Sequence, residues 1–191
     1  TRQQKIFLIV GPKRSGKGTI ARVLQGLLGR ANVCAPTLAS MSSNFGLAPL
    51  IGKHLAIIAD ARLGGRSDQA VIAERLLSVS GEDTVTIDRK FLEPWTGRLP
   101  TRFLILTNEL PRLSDASGAL ASRFIMLTLT QSFYDTEDHT LTDRLLTELP
   151  GILNWAIAGW QRLQQRGYFV QPSSSAEAIS ELESLASPVA A

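Results

Sequence analysis

The sequence predicts an α/β fold in which a mostly parallel β-sheet is covered by helices on both faces. Five short apolar runs have the length and composition of buried strands, and segments of helical periodicity separate them. With 191 residues, of which 44% are hydrophobic and 19% charged, the chain can form the core of one domain, and this excludes a wholly disordered protein. The predicted strands are residues 6–10, 32–35, 55–59, 103–107 and 124–129.

Apolar residues spaced three and four positions apart predict four helices. They lie between Gly16 and Gly29, from the capping pair 67–68 to Gly81, and over residues 139–148 and 150–166. The last segment, 171–191, is poor in large apolar groups beyond one short amphipathic stretch, which predicts a weakly packed tail or linker. We therefore expect the main domain to span residues 1–170.

The charge balance, with 20 Lys and Arg residues against 17 Asp and Glu, gives a formal net charge of +3. This mild excess suits an acidic partner such as a nucleotide or nucleic acid, and it excludes a histone-like polycation. A single cysteine, Cys34, excludes an internal disulfide, and with only two histidines a structural zinc site is not expected. The longest apolar run is too short to span a membrane and no signal peptide precedes it, so we expect a cytoplasmic protein without a membrane partner.

The most specific chemical signal is a glycine-rich loop between the first predicted strand and the first predicted helix. The loop consists of Gly11, Pro12, Lys13, Arg14, Ser15, Gly16, Lys17, Gly18 and Thr19. It matches G-x-x-x-x-G-K in the strand–loop–helix context that a phosphate-binding loop requires. Backbone N–H groups can turn inward to form an anion site, the helix N-terminus adds partial positive charge, and Lys17 can reach the β- and γ-phosphates. The loop therefore predicts ATP and Mg²⁺ as cofactors.

One position of this loop departs from the usual pattern. The Ser or Thr that normally follows the loop lysine, and whose hydroxyl binds Mg²⁺, is replaced by Gly18. Thr19 comes one position later, where it can bind the α- or β-phosphate or hold the metal through a water molecule.

A second candidate metal ligand is Asp60, which follows the apolar run 55–59 and is expected at the carboxyl edge of the sheet. A second acid, which would polarise the attacking water, usually adjoins such an aspartate, but both neighbours of Asp60 are alanines. Glu74 or Asp83 can substitute for that acid, and the spacing does not choose between them.

Two further polar residues are candidates for sensing the nucleotide. Asn108 follows the predicted strand 103–107, so its amide can orient water or contact the γ-phosphate. Arg123 precedes the predicted strand 124–129 and can complete the site of a neighbouring subunit as an arginine finger. In a monomer it would instead interact with the C-terminal dipole of the preceding helix.

The order of the motifs GPKRSGKGT, LAIIAD, FLILTN and ASRF, with a basic segment after the second, resembles the helicase domain of phage and plasmid primase-helicases, in superfamily 3 of the AAA+ ATPases. The segment ELPGILNWAIAGWQRLQQRG is similar to the C-terminal helices of that family, so the resemblance covers residues 5–170. It implies a P-loop NTPase with a RecA-like AAA+ core of five parallel strands. It also implies assembly as a hexameric ring around single-stranded DNA.

The resemblance implies roles for the residues that match its motifs. Lys17 and Thr19 would bind phosphate, Asp60 would be the Walker B acid and hold Mg²⁺ together with Thr19, Asn108 would be the sensor, and Arg123 would act in trans. The helical collar that supports ring assembly, and any primase domain, would precede the first residue. Because the sequence starts without Met and almost directly with a strand, we expect a piece of a longer protein that is monomeric or weakly associated by itself.

The resemblance also places residues 81–90 in a hairpin that projects into the channel of the ring. Residues 84–87 alternate in polarity like a strand, and the proline and glycine within 93–97 predict the turn. Arg89 and Lys90 are expected to contact DNA, whereas the tryptophan near the turn is expected to pack against the sheet.

These features favour an ATP-driven DNA helicase or translocase whose ATPase activity rises with DNA and with oligomerisation. The alternative is a small-molecule kinase of the nucleoside monophosphate type, because a glycine after the loop lysine is normal in such kinases, although no arginine-rich lid is evident. A second alternative, suggested by the missing second acid, is a nucleotide-binding module with little hydrolysis. Stimulation by DNA or by a small acceptor distinguishes the motor from the kinase.

Overall fold

The computed structural model describes residues 3–59, 68–111 and 119–186. The strands in these ranges are β1 (Ile6–Val10), β2 (Val33–Cys34), β3 (Leu55–Ala59), β4 (Thr84–Arg89), β5 (Leu92–Arg98), β6 (Arg102–Thr107) and β7 (Phe124–Thr128). Five of them form one parallel sheet in the order β2-β3-β6-β1-β7. They are the five strands predicted from the apolar runs, so the predicted parallel sheet is confirmed.

The helices in the described ranges are α1 (Lys17–Leu28), α2 (Leu38–Met41), α3 (Gln69–Gly81), α4 (Ala119–Arg123), α5 (Leu141–Thr147), α6 (Leu149–Arg166) and α7 (Ala176–Ala186). The four predicted helices correspond to α1, α3, α5 and α6. Glycines end two of them as expected, since Gly29 and Gly167 have φ angles of 81° and 83° that other residues adopt only with strain. Asp68 caps α3, where its carboxylate accepts from the Val71 N–H at 3.5 Å.

Side chains of the sheet alternate between two apolar layers, one on each face. On one face Leu8 lies in a large buried cluster with Ile72 and Leu76 of α3, to which α2, α4 and α7 also contribute. On the other face Ile9 lies in a smaller buried cluster with Ala21 of α1. Helices therefore cover both faces, and the α/β class is confirmed.

Because the five strands are parallel, their carboxyl ends lie at one edge of the sheet and their amino ends at the opposite edge. β1 and β6 are neighbours, and the Gly11 N–H that follows β1 donates to the Thr107 carbonyl at the end of β6, at 3.2 Å. The loop after β1 and the residue after β6 therefore meet at the carboxyl edge. The amino edge contains the first residues of β6 and β7, Arg102 and Phe124.

β4 and β5 form a separate antiparallel hairpin between α3 and β6 in the chain. Its turn is Lys90–Phe91, so the turn predicted at 93–97 is wrong, and those residues lie within β5. Pro94 is tolerated there because it lies opposite the register shift between Ile87 and Arg89, where the ladder of backbone hydrogen bonds is interrupted.

Side chains at the base of the hairpin contact the rest of the domain. Ile87 is buried and Trp95 packs against the main core, which confirms the packing expected of this tryptophan. The Glu82 carboxylate, before β4, pairs with the Arg102 guanidinium at 2.7 Å. The hairpin therefore joins the domain at the amino edge of the sheet.

The described part of the tail contains a short 3-10 turn, Ser173–Ser175, followed by α7. The buried Ser175 hydroxyl donates to the Met126 carbonyl of β7 at 2.9 Å, and Leu182 of α7 reaches the main core. The division of the chain at residue 170 stays a prediction. Among the described helices, none has the length and apolar character needed to cross a membrane.

Candidate functional site

The loop between β1 and α1 passes through left-handed backbone conformations at Arg14, with φ 60°, and at Gly16, with φ 90°. Gly16 is the N-cap of α1, and glycine adopts this conformation without the cost that a side chain would add. A glycine cap offers no side chain that could accept from the first-turn N–H groups of the helix. The amino end of α1 therefore faces the loop as an anion site requires.

The Lys17 ammonium lies inside this loop. It donates to the carbonyl oxygens of Gly11 and Pro12, each at 2.7 Å, and to the Ser15 hydroxyl at 3.2 Å. Partial burial lowers the pKa of Lys17 below its ordinary value. Three acceptors match the three N–H bonds of the ammonium, so its charge is fixed at the centre of the loop, where a phosphate oxygen would be a stronger, charged acceptor.

Gly11 has no room for a side chain, because a β-carbon there would lie 2.7 Å from the Leu129 carbonyl oxygen. We expect Gly11→Ala to lower the free energy of unfolding by about 1–3 kcal/mol, since β1 or the Leu129 backbone must shift. Gly18→Ala is the matched control, because its β-carbon would lie 3.4 Å from the end of the Arg22 side chain and near no backbone atom, in a helix that favours alanine. Urea denaturation of the two variants measures the difference, and equal stabilities would contradict the close approach at Gly11.

Arg22, one turn along α1, connects the phosphate loop to α5. Its Nη2 donates to Thr19 Oγ1 at 3.2 Å and its Nε donates to Thr142 Oγ1 at 3.3 Å. The Thr19 hydroxyl keeps its own hydrogen and a second lone pair, so phosphate binding and metal binding through water are both compatible with this contact. The loop motif does not include Arg22, but its position three residues after Thr19 on a helix is the signal that identifies it.

The segment between β7 and α5 covers the outer side of the phosphate loop. The Ser132 hydroxyl donates to the Lys13 carbonyl at 2.8 Å, and the Phe133 N–H donates to the Arg14 carbonyl at 3.1 Å. The Arg14 guanidinium also pairs with the Glu137 carboxylate at 3.1 Å. No sequence motif marks this segment, because its contacts join residues more than a hundred positions apart.

A cavity of about 770 Å³ lies between the phosphate loop and this segment. Its volume is in the range of small-molecule and cofactor sites. Residues 13–19 and Asn108 line one side, and Phe133 and Thr142 line the other. The structure thus brings the phosphate loop and the predicted sensor, Asn108, together around one cavity.

Asp60 lies outside the described residues, so its role as a metal ligand stays a prediction. β3, which precedes it, ends with Ala59 at the carboxyl edge, where β1 and β6 also end. Within residues 3–59, 68–111 and 119–186, no three His, Cys, Asp or Glu side chains are grouped so that they could hold a metal ion.

The two acids considered as substitutes for the second Walker B acid differ in position. Asp83 follows Glu82, which pairs with Arg102 at the amino edge, so Asp83 is at the wrong edge to activate water at the phosphate loop of its own chain. Glu74 lies on the exposed side of α3, and its proposed role stays a prediction.

Arg123 is the last residue of α4 and lies at the amino edge, immediately before β7. Its partly buried guanidinium donates to the Ser80 hydroxyl of α3 at 3.5 Å. A strand of five residues at about 3.3 Å per residue separates this edge from the phosphate-loop edge by about 16 Å. Arg123 therefore does not belong to the cavity of its own chain, and action in trans stays a prediction.

The predicted DNA-binding residues, Arg89 and Lys90, lie at the end of the hairpin. The Arg89 Nε donates to the Glu93 carbonyl across the turn at 2.8 Å, and Lys90 is exposed in the turn itself. The base of their hairpin joins the domain at the amino edge, where Arg123 also lies, and neither residue lines the cavity.

A family model matches residues 9–123, more than half of the chain, and is described as "Family of unknown function (DUF5906)". The chain belongs to this family. The matched residues of this DUF5906 member include the phosphate loop, the hairpin and Arg123.

Solved structures with the same fold include the apo C-terminal region (305-718) of NrS-1, with a TM-score of 0.70, 16% identity, and coverage of 97% of this chain and 44% of that one. The X-ray structure of JCV helicase matches with a TM-score of 0.55 and 18% identity, over 95% of this chain and 50% of that one. This DUF5906 chain thus spans half or less of the length of these relatives. The likeness shows a helicase-like fold, as predicted.

Proposed function

We propose that the chain is the ATP-dependent DNA helicase or translocase module of a phage- or plasmid-type replication primase-helicase, acting in the cytoplasm and hydrolysing ATP between the subunits of a ring. The observation that carries this proposal is the distribution of charge over two opposite edges of one sheet. The phosphate loop with Lys17 lies at the carboxyl edge, and Arg123 and the hairpin lie at the amino edge. The helicase-like fold supports it.

The residues at the carboxyl edge suit a nucleoside triphosphate. Backbone N–H groups of the loop and the Lys17 ammonium would bind the phosphates, and Asn108 would orient water or contact the γ-phosphate. Thr19 and Asp60 would hold Mg²⁺, which would neutralise charge that develops on the phosphate oxygens. Thr19 is among the residues that line the cavity, which fits this assignment.

The residues at the amino edge need a second subunit. Arg123 is about 16 Å from the phosphate-loop edge of its own chain. As an arginine finger it would therefore act on the nucleotide site of a neighbouring copy. Head-to-tail contacts that place one edge against the other form a ring where the rotation between successive copies closes. The hairpin would then face the channel with Arg89 and Lys90 on the phosphates of single-stranded DNA.

The decisive measurement is the steady-state ATPase rate with Mg²⁺ at increasing protein concentration, with and without single-stranded DNA. We expect the rate per chain to rise with concentration, because a shared site needs a neighbour, and to rise again with DNA. An ATPase rate that does not change with DNA but increases when nucleoside monophosphates are added would establish the kinase instead. Tight ATP binding without turnover under all conditions would establish the nucleotide-binding module.

Removal of the two hairpin cations tests the DNA contact. Arg89→Ala combined with Lys90→Ala is expected to weaken binding of single-stranded DNA and to reduce the slope of log affinity against log salt by about 1.4, or 0.7 for each lost phosphate contact. Arg162→Ala with Arg166→Ala on α6 is the control for net charge. If both double variants lower the slope equally, the hairpin has no special part in DNA binding.

A further inference from the structure

The turn of the hairpin presents an aromatic ring to solvent. Phe91 is 92% exposed and Leu92 is 63% exposed, whereas Trp95 of the same hairpin packs against the core. Large apolar side chains usually lose such exposure on folding, since their burial stabilises a protein. The Phe91 ring therefore gains almost no stabilisation from burial in the folded hairpin.

The backbone of Phe91 is also unusual, because its φ is 60°. A left-handed conformation brings the β-carbon of a non-glycine residue too close to the backbone, and glycine or asparagine normally occupies such turn positions. A bulky aromatic residue at this position is thus unfavourable for stability by two separate criteria. Strained residues that persist in this way are concentrated at functional sites.

The neighbours of Phe91 supply positive charge and hold the turn. The Lys90 ammonium lies 5.1 Å from the centroid of the Phe91 ring, and the Arg89 guanidinium bonds the Glu93 carbonyl across the turn. One cation, Lys90, therefore lies beside the exposed ring, and a second, Arg89, bonds the backbone of the same turn.

We propose that Phe91 stacks on a nucleobase of single-stranded DNA, while Lys90 binds an adjacent phosphate. This inference rests on the proposed function. It adds a contact with a nucleobase, whereas the proposed function requires only that the hairpin contact phosphates. A ring beside a cation is the combination that binds single strands without sequence preference, because every base has a π-face and every nucleotide a phosphate. Stacked bases in a duplex offer no such face.

The test compares two oligonucleotides of equal length, one of thymidines and one with abasic sugars, by fluorescence anisotropy at low salt. We expect the wild-type chain to bind the abasic strand about 5- to 150-fold more weakly. Phe91→Ala should bind both strands with the low affinity that the wild type has for the abasic one. Phe91→Trp should keep the preference for bases, and Phe91→Gly, which accepts the positive φ, should behave like Phe91→Ala.

Leu92→Ala is the matched control, since it removes an exposed apolar side chain next to Phe91. Equal losses for Leu92→Ala and Phe91→Ala would overturn the stacking contact in favour of a general apolar surface. Equal binding of both oligonucleotides by the wild type would also overturn the stacking contact of Phe91. That result would leave the proposed DNA-binding function uncontradicted. No binding of either strand would instead contradict the proposed function.

Discussion

Lys17→Ala is expected to reduce the affinity of the chain for ATP at least about 100-fold, which isothermal titration calorimetry measures directly. The ammonium is the charged donor at the centre of the phosphate loop, and charge-assisted hydrogen bonds to a buried anion are worth about 1.5–3 kcal/mol each. A triphosphate would accept more than one of them. The loss is expected with the motor, with the kinase and with the binding module, so this variant tests the site and not the reaction.

Lys13→Ala is the matched control for Lys17→Ala. Lys13 is an exposed lysine of the same loop, and its substitution keeps the backbone N–H groups through which this part of the loop would bind phosphate. We expect a loss of less than about 10-fold, as for a surface charge near the ligand. If Lys13→Ala weakens binding as strongly as Lys17→Ala, net charge near the cavity, and not the bond geometry of Lys17, determines the affinity.

A structural effect of Lys17→Ala must be separated from the loss of the charge. The ammonium bonds two loop carbonyls and the Ser15 hydroxyl, so its removal also loosens the loop. Thermal unfolding without ligand measures that contribution. A variant that melts close to the wild-type temperature and fails to bind ATP assigns the loss to the phosphate contact, whereas a folded variant that binds ATP normally contradicts the site.

The sequence predicts the sheet and the phosphate loop because their signals are local. The apolar run of β1, the glycine N-cap at Gly16 and the helical spacing of α1 act over about 25 successive residues, and each constrains the same strand–loop–helix unit. Backbone geometry then places Lys17 without any contribution from distant parts of the chain. The position of Lys17 in the loop could therefore be predicted from the sequence before any of its hydrogen bonds were known.

The turn of the hairpin shows where local signals mislead. Proline and glycine within 93–97 are the residues that usually mark turns, but both lie inside β5. The bulge opposite Pro94 removes the need for its N–H, and Gly97 leaves room for the Trp95 ring, 2.7 Å from where a β-carbon would be. Trp95 packs against the core from within β5, and the turn lies at Lys90 and Phe91, where neither residue type is one that usually marks turns.

The segment over the phosphate loop illustrates contacts that sequence patterns do not contain. Arg14 and Glu137 are brought together only because β7 and β1 are neighbours in the sheet, and nothing in either local sequence indicates the pair. The edge opposite to the phosphate loop, where Arg123 lies, follows already from its position before a strand of a parallel sheet. The pairing of Arg14 with Glu137 depends on strand order as well, and so it is evident only from the folded chain.

Arg123→Ala is expected to lower ATP turnover about 10³-fold or more while leaving ATP affinity within a few-fold of the wild type. An arginine finger stabilises charge in the transition state and is worth 10³ to 10⁵ in rate in related reactions, but it contributes little to ground-state binding by the subunit that carries it. Turnover by the coupled ATPase assay and affinity by calorimetry give the two values. Normal turnover by Arg123→Ala would show that the residue is no finger.

Within its own chain, Arg123 contacts the Ser80 hydroxyl, and this contact offers a second explanation for lost activity. Ser80→Ala is the control, because it removes that partner and keeps the guanidinium. If Arg123 acts through α3, Ser80→Ala should reproduce much of the loss. If Arg123 acts on a neighbouring subunit, Ser80→Ala should turn over ATP at close to the wild-type rate.

A mixture of two inactive variants separates action in trans from action within one chain. Lys17→Ala subunits lack the phosphate contact but keep Arg123, and Arg123→Ala subunits have the reverse defect, so each supplies what the other needs at a shared interface. In an equal mixture that assembles at random, about one interface in four joins an intact Lys17 to an intact Arg123 across subunits. We therefore expect the mixture to regain up to about one quarter of the wild-type rate. If the two residues served the same copy, each chain would still carry one of the two defects, so a mixture as inactive as its components would exclude the shared site.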